Sequence, residues 1–286
     1  YLPPTTASGK DVIVNPLGIG QEVDLNVRLD NQKATLSWDG LGALEFSDDL
    51  SGPWQTVSRE SPYVSAIDSD ARFYRVAAQL DRPASVYIPS TYRPEVPMPL
   101  IVSLHGYTDN PSGVERQIPL RPLADSAGFI YVVPEGPAGP NGLPFWNALP
   151  EIRDAIGSDR DDIAFLRGLV EGIRQDYNVD PKRIYFVGHS NGGMMSYRMA
   201  CEHSNLVAAI VSLAGATLTN PADCVPSEPV SILQIHGTAD SIIPYDDMIS
   251  ALGIKFAPAF GNIETWASYN GCGDLVSASQ RTFDLD

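Results

Sequence analysis

The sequence predicts an α/β fold: a doubly wound, mostly parallel sheet preceded by a small all-β module. Three observations predict it. From residue 81 onward, apolar strand-like runs alternate with stretches of helical period, the pattern of a parallel sheet with crossover helices. Before residue 80 the strand-like runs are short and separated by turn dipeptides, and no helical period appears. At 286 residues with 43% hydrophobic content, the chain can hold one large core and one small module. The expected division is therefore residues 1–80 as an antiparallel β accessory module and 81–286 as the main domain.

In the module, residues 23–29, 34–38, 43–46, 54–58 and 73–78 read as strands, with Asp-Asn, Asp-Gly, Ser-Gly-Pro and Ser-Pro between them as turn signals. Its Trp38, Trp54, Phe73 and Tyr74 could offer a ligand platform, but aromatics in so small a sandwich are expected to form its core. In the main domain the strands are expected at 86–88, 100–104, 129–133, 184–187, 208–213 and 230–235. Ile163, Leu166, Leu169, Val170 and Ile173 fall on one face of a helix that Asp161 or Asp162 can cap, which is the expected role of those carboxylates in preference to metal binding.

The most informative stretch is 184–193, Ile-Tyr-Phe-Val-Gly-His-Ser-Asn-Gly-Gly. A β-branched and aromatic run breaks into Gly188-x-Ser190-x-Gly192 and then into helix-forming residues. This is a nucleophile elbow: a serine on a tight strand-to-helix turn holds strained backbone angles so that its Oγ stands clear, and the flanking glycines remove Cβ atoms that would clash. The N–H of Asn191, at the start of the following helix, is then a natural donor to a developing oxyanion.

An acid is expected on a loop after a later strand, because the chain order in such enzymes is Ser, then Asp or Glu, then His. Residues 230–235 and the His-Gly-Thr-Ala-Asp that follows put Asp240 in that slot. The second oxyanion donor is expected after strand 100–104, where His105-Gly106-Tyr107 makes the Tyr107 N–H the candidate. His105 itself is expected to order that loop through a ring-nitrogen hydrogen bond.

Leu-His-Gly at 104–106, Phe-Trp-Asn at 145–147, Asp-Asp-Ile-Ala-Phe-Leu at 161–166, Val-Asp-Pro-Lys-Arg-Ile-Tyr at 179–185, Gly-His-Ser-Asn-Gly-Gly-Met-Met at 188–195 and His-Gly-Thr-Ala-Asp at 236–240 occur in order. Together they resemble the polyhydroxybutyrate depolymerase and feruloyl esterase family of secreted α/β-hydrolases, over roughly residues 81–286. The resemblance implies hydrolysis of carboxylic esters outside the cell, with Ser190 as nucleophile, Asp240 as acid, and Tyr107 and Asn191 as oxyanion donors. It makes His236 structural.

A general base is missing from this pattern. The chain has four histidines, at 105, 189, 203 and 236, and none follows Asp240. His203 lies at the far end of the elbow helix, roughly 20 Å from Ser190. Cys201 and Cys224 are compatible with a bridge across one βα layer, which leaves Cys272 over, and an odd cysteine in an exported protein suggests a lost partner. The end of the chain, 281–286, reads as the beginning of a strand. These gaps lead to the expectation that the protein continues beyond Asp286 with a strand, a cysteine and a histidine loop, just as its opening residues read as a processed or trimmed start.

Composition excludes several other classes. With 35 acidic against 19 basic residues and a net charge of −16, the chain lacks the cationic footprint of a nucleic-acid binder. No apolar run approaches the ~20 residues of a membrane span. No Cys/His metal spacing, phosphate loop or dinucleotide fingerprint is present, so neither a metal nor a cofactor is implied. The proline- and glycine-rich segment 134–147 is expected to form one wall of the cleft through Trp146, with Tyr245 as another, around acyl groups ranging from short aliphatic to cinnamoyl or polyester units. The expected partner is a small or polymeric ester, acted on by a secreted bacterial serine carboxylesterase. The rival readings are a serine peptidase on the same fold and a catalytically silent binding protein whose working part is the β module.

Overall fold

The computed structural model describes residues 11–14, 25–30, 33–37, 42–48, 55–58, 61–66, 71–78, 82, 84–158, 160–246 and 255–273. Trp38, Trp54 and the 281–286 stretch lie outside them. The chain divides into two compact units, Tyr1–Asp81 with Ala164–Asp176, and Arg82–Ile163 with Tyr177–Asp286.

Among the described residues, the first unit carries seven strands: β1 (Asp11–Val14), β2 (Asn26–Asp30), β3 (Lys33–Ser37), β4 (Gly42–Ser47), β5 (Gln55–Ser58), β6 (Tyr63–Ala66) and β7 (Ala71–Ala78). They form a four-stranded sheet in the order β1-β7-β4-β5 and a three-stranded sheet in the order β2-β3-β6. The pairs are antiparallel except β1 with β7. Those two strands are far apart in the chain, so no hairpin dictates their direction. Ala34 and Leu36 of β3 pack with Leu44 of β4 and Tyr74 of β7 in one buried cluster. Tyr74 is thus a core residue, and its phenol donates to Ser65 Oγ at 2.8 Å, giving its buried hydroxyl the partner it needs.

The second unit is built on a six-stranded sheet of β8 (Ala84–Tyr87), β9 (Met98–Leu104), β10 (Ile130–Pro134), β11 (Val179–His189), β12 (Ala209–Leu213) and β13 (Ser231–Ile235). Its order is β13-β12-β11-β9-β10-β8, parallel throughout except that β8 runs antiparallel to β10. This is the doubly wound, mostly parallel α/β-hydrolase sheet the sequence predicts. All five residues of β10 are buried, as is usual for a parallel strand covered on both faces.

The helices are α1 (Pro111–Gln117), α2 (Ala124–Ala127), α3 (Pro150–Ile156), α4 (Asp162–Asp176), α5 (Asn191–Glu202) and α6 (Ala259–Tyr269). Sequence reasoning missed α1, although Asn110 and Pro111 are its signature: the Asn110 side chain accepts from Gly113 N–H at 3.1 Å and proline occupies the first turn, where its missing N–H has no partner to lose. The α4 residues Ile163, Leu166, Leu169, Val170 and Ile173 are all buried. Asp162 stands in the first turn of α4, but its carboxylate is a buried hub. It pairs with Arg82, with Arg160 at 2.8 Å, and accepts from Asn147 N–H at 2.6 Å. Cys201 at the end of α5 is disulfide-bonded to Cys224, with Cα atoms 5.5 Å apart, and Cys272 is free and exposed.

Candidate active site

Between β11 and α5 the chain turns at Ser190, which has φ 52° and ψ −117°, outside every region that L-residues favour. Two neighbours make this turn possible. A Cβ at Gly188 would lie 2.2 Å from Gly192 C, and a Cβ at Gly192 would lie 2.1 Å from Leu104 O, so neither position admits a side chain. The turn is tied to the sheet by Ser190 N–H, which donates to Leu213 O of β12 at 2.8 Å, and to the helix by Met194 N–H, which donates to Ser190 O at 3.0 Å.

Facing this elbow is the turn after β9. His105 is fully buried: its Nδ1–H donates to Gly106 O and its Nε2 accepts from Gly136 N–H, both at 2.8 Å. These partners fix one neutral tautomer, and burial pushes the ring's pKa below its usual value. At Gly106, a Cβ would come within 3.1 Å of His189 Nδ1 and 3.5 Å of Ser190 Cβ, so the two turns are in contact. Neither Tyr107 N–H nor Asn191 N–H has an acceptor among the described residues. A cleft of about 290 Å³ opens here, lined by Gly106, Tyr107, Asp109, Arg116, His189 and Ser190 among others. Sequence reasoning missed Asp109 and Arg116, because they flank or belong to α1.

Asp240 lies on the loop after β13. Its Oδ1 accepts from Ile242 N–H at 2.9 Å and Ile243 N–H at 3.0 Å, while Oδ2 is 3.5 Å from His236 Nε2. His236 donates from Nε2 to Ile243 O at 2.7 Å, and its Nδ1 meets the Gln234 amide at 2.9 Å. Tyr197 OH of α5 donates to the other end of that amide at 2.9 Å, so one chain of bonds runs from the elbow helix to the acid loop. Burial lowers the pKa of His189, and the charges of Asp109 and Asp240 oppose that effect.

Neither Trp146 nor Tyr245 lines this cleft. Trp146 is fully buried, with its indole N–H donating to His105 O at 3.0 Å, and it does not line the cleft. An indole that can bury its ring and satisfy its one donor is more stable inside than at a wet surface. Tyr245 is half-buried, its ring edge-on to His236 with centroids 6.1 Å apart. His203 caps α5 at the end remote from Ser190, and both ring nitrogens of His105 and of His236 are engaged. Among the described residues, no group of three or more His, Cys, Asp or Glu side chains could hold a metal ion, and no helix is long and apolar enough to cross a membrane.

A profile of the phospholipase/carboxylesterase family matches residues 91–253, from before β9 to beyond the acid loop, which is more than half of the chain. The chain belongs to the phospholipase/carboxylesterase family. Within reach of this family member are the feruloyl esterase B of Piromyces equi, 31% identical over 198 residues that make up 67% of this chain and 36% of that protein, and the bifunctional acetylxylan esterase/xylanase XynS20E of Neocallimastix patriciarum, 30% identical over 167 residues, 58% of this chain and 22% of that protein. The chain thus spans well under half the length of either. Among solved structures, the acetyl xylan esterase from Aspergillus awamori superposes with a TM-score of 0.51 at 17% identity, covering 67% of this chain and 76% of that one, a likeness of fold.

Proposed function

We propose that this phospholipase/carboxylesterase family member is a serine carboxylesterase. The observation that carries the reading is Ser190, held at φ 52° beside a turn whose N–H group, like that of Asn191, has no acceptor among the described residues. In the proposed reaction Ser190 Oγ attacks the ester carbonyl, and its proton passes to a general-base histidine. The N–H groups of Tyr107 and Asn191 hold the oxyanion. The histidine then gives the proton to the departing alkoxide, leaving an acyl-enzyme. Water adds to that intermediate with the same histidine as base, and the carboxylic acid and free Ser190 result.

Asp240 orients the histidine through Oδ2, since its Oδ1 is occupied by two N–H groups. The similarity to a feruloyl esterase and an acetylxylan esterase favours acetyl or hydroxycinnamoyl esters as substrates, with short aliphatic and polyester units as further candidates. The Cys201–Cys224 disulfide supports an exported enzyme, because such bonds persist in oxidising compartments. Residues 1–80 serve as an accessory module in this reading.

The test is labelling with a fluorophosphonate probe together with hydrolysis of p-nitrophenyl acetate and a peptide anilide. Labelling of the wild type but not of Ser190→Ala, with ester turnover and no anilide turnover, is expected. Absence of labelling in an intact, folded protein would leave the silent binding protein as the better reading, and anilide turnover would favour a peptidase.

A further inference from the structure

The segment before Asn147 bonds to both turns that flank Ser190. Trp146 N–H donates to Asn191 Oδ1 at 2.6 Å, and Asn191 Nδ2 donates back to Trp146 O at 2.9 Å. One side-chain amide is thereby satisfied by the backbone of a single residue distant in sequence. On its other side, the Trp146 indole donates to His105 O at 3.0 Å, and the two rings lie 5.2 Å apart. His105 opens the turn that carries Tyr107, and that turn is bonded to the same segment twice more, through Gly136 N–H to His105 Nε2 and Thr108 N–H to Pro144 O, both at 2.8 Å.

We propose that Trp146 is a positioning residue that sets the separation of the Tyr107 and Asn191 N–H groups across Ser190. This rests on the serine esterase reading. The two turns leave neighbouring strands, β9 and β11, whose ladder ends at the pair Gly188 and Leu104. Beyond that pair the sheet no longer fixes their spacing. Oxyanion donors are useful only when both lie about 2.7–3.1 Å from one oxygen, a tolerance of roughly 0.5 Å. Trp146, His105 and Asn191 are all buried, so the bonds between them act in a low dielectric without competing water and form a stiff strut.

Trp146→Phe keeps the ring against His105 and removes the indole donor. In the full-length protein it is expected to lower kcat for p-nitrophenyl acetate by about tenfold with KM within about twofold. Affinity for phenylboronic acid, whose tetrahedral adduct needs both donors, should fall by about the same factor. A merely structural role would lower the melting temperature and leave kcat and boronate affinity unchanged, which would overturn the proposal. Should Trp146→Phe fail to fold, the near-isosteric Asn191→Asp carries the test, because it sets an acceptor against Trp146 O; unchanged kcat there also overturns it. A wild type that does not react with fluorophosphonate removes the esterase reading and the proposal with it. A reactive wild type whose variants react equally fast overturns the proposal alone.

Discussion

Replacing Ser190 with glycine separates the strain at the elbow from its chemistry. At φ 52° and ψ −117°, Ser190 occupies a conformation that costs about 1–3 kcal/mol for a residue with a Cβ and almost nothing for glycine. Ser190→Ala keeps the Cβ and the strain, whereas Ser190→Gly releases the strain at a cost of about 0.5–1 kcal/mol in unfolded-chain entropy. Glycine should therefore be the more stable of the two by about 1 kcal/mol. With roughly 2.1 cal/mol/K of unfolding entropy per residue, that difference is about 2 °C in melting temperature for a chain of this size, which calorimetry on paired samples resolves. Both variants should lose on the order of 10⁶ in kcat, the usual effect of removing a nucleophile from an acting triad. If the alanine variant proved as stable as the glycine variant, the turn would not be strained, and residual turnover within tenfold of wild type would remove Ser190 from the reaction.

Asp240→Asn should fold normally, because its Oδ1 can still accept from Ile242 and Ile243 N–H, yet lose on the order of 10⁴ in kcat; an unchanged rate would move the acid elsewhere. Reducing the Cys201–Cys224 disulfide opens a loop of 23 residues, worth ~3 kcal/mol in the chain-entropy treatment, so scans with and without reductant should differ by roughly 6 °C, and a shift under 2 °C would count against that account. The buried His105 binds its proton less readily in the folded chain than in the unfolded one. The unfolded state therefore takes up more protons as pH falls below about 6.5, and stability should drop from there downward by up to ~1.4 kcal/mol per pH unit. Urea melts at pH 7 and pH 5 of wild type and His105→Asn check this: the variant should show the smaller pH loss, and an equal loss in both would refute it.

Much of the site was legible because its constraints are local. A serine in a forbidden region of backbone space needs glycine two residues to either side, so Gly188, Ser190 and Gly192 announce the elbow without reference to the rest of the chain. The strands were equally readable, since parallel strands buried on both faces are continuous apolar runs, as 130–134 illustrates. Short helices such as α1 were not, because seven residues containing a glycine carry little periodic signal and depend on the Asn110 cap and on packing.

The sequence alone determined the strand-turn-helix elbow at Ser190, the likeness to a family of ester hydrolases and the alternation of strands and helices in the main domain, all properties of contiguous residues. Only the tertiary structure decided which way Trp146 faces. An indole suits a cleft wall and a core equally well by composition, and the choice was made by acceptors at His105 and Asn191, each more than forty residues away. The tautomer of His105, the burial of Asp162 between two arginines, and the run of bonds from Tyr197 to the Asp240 loop were decided in the same way. Each depends on which distant groups meet in space, and the free energy of a buried polar group is set by the partner it finds there.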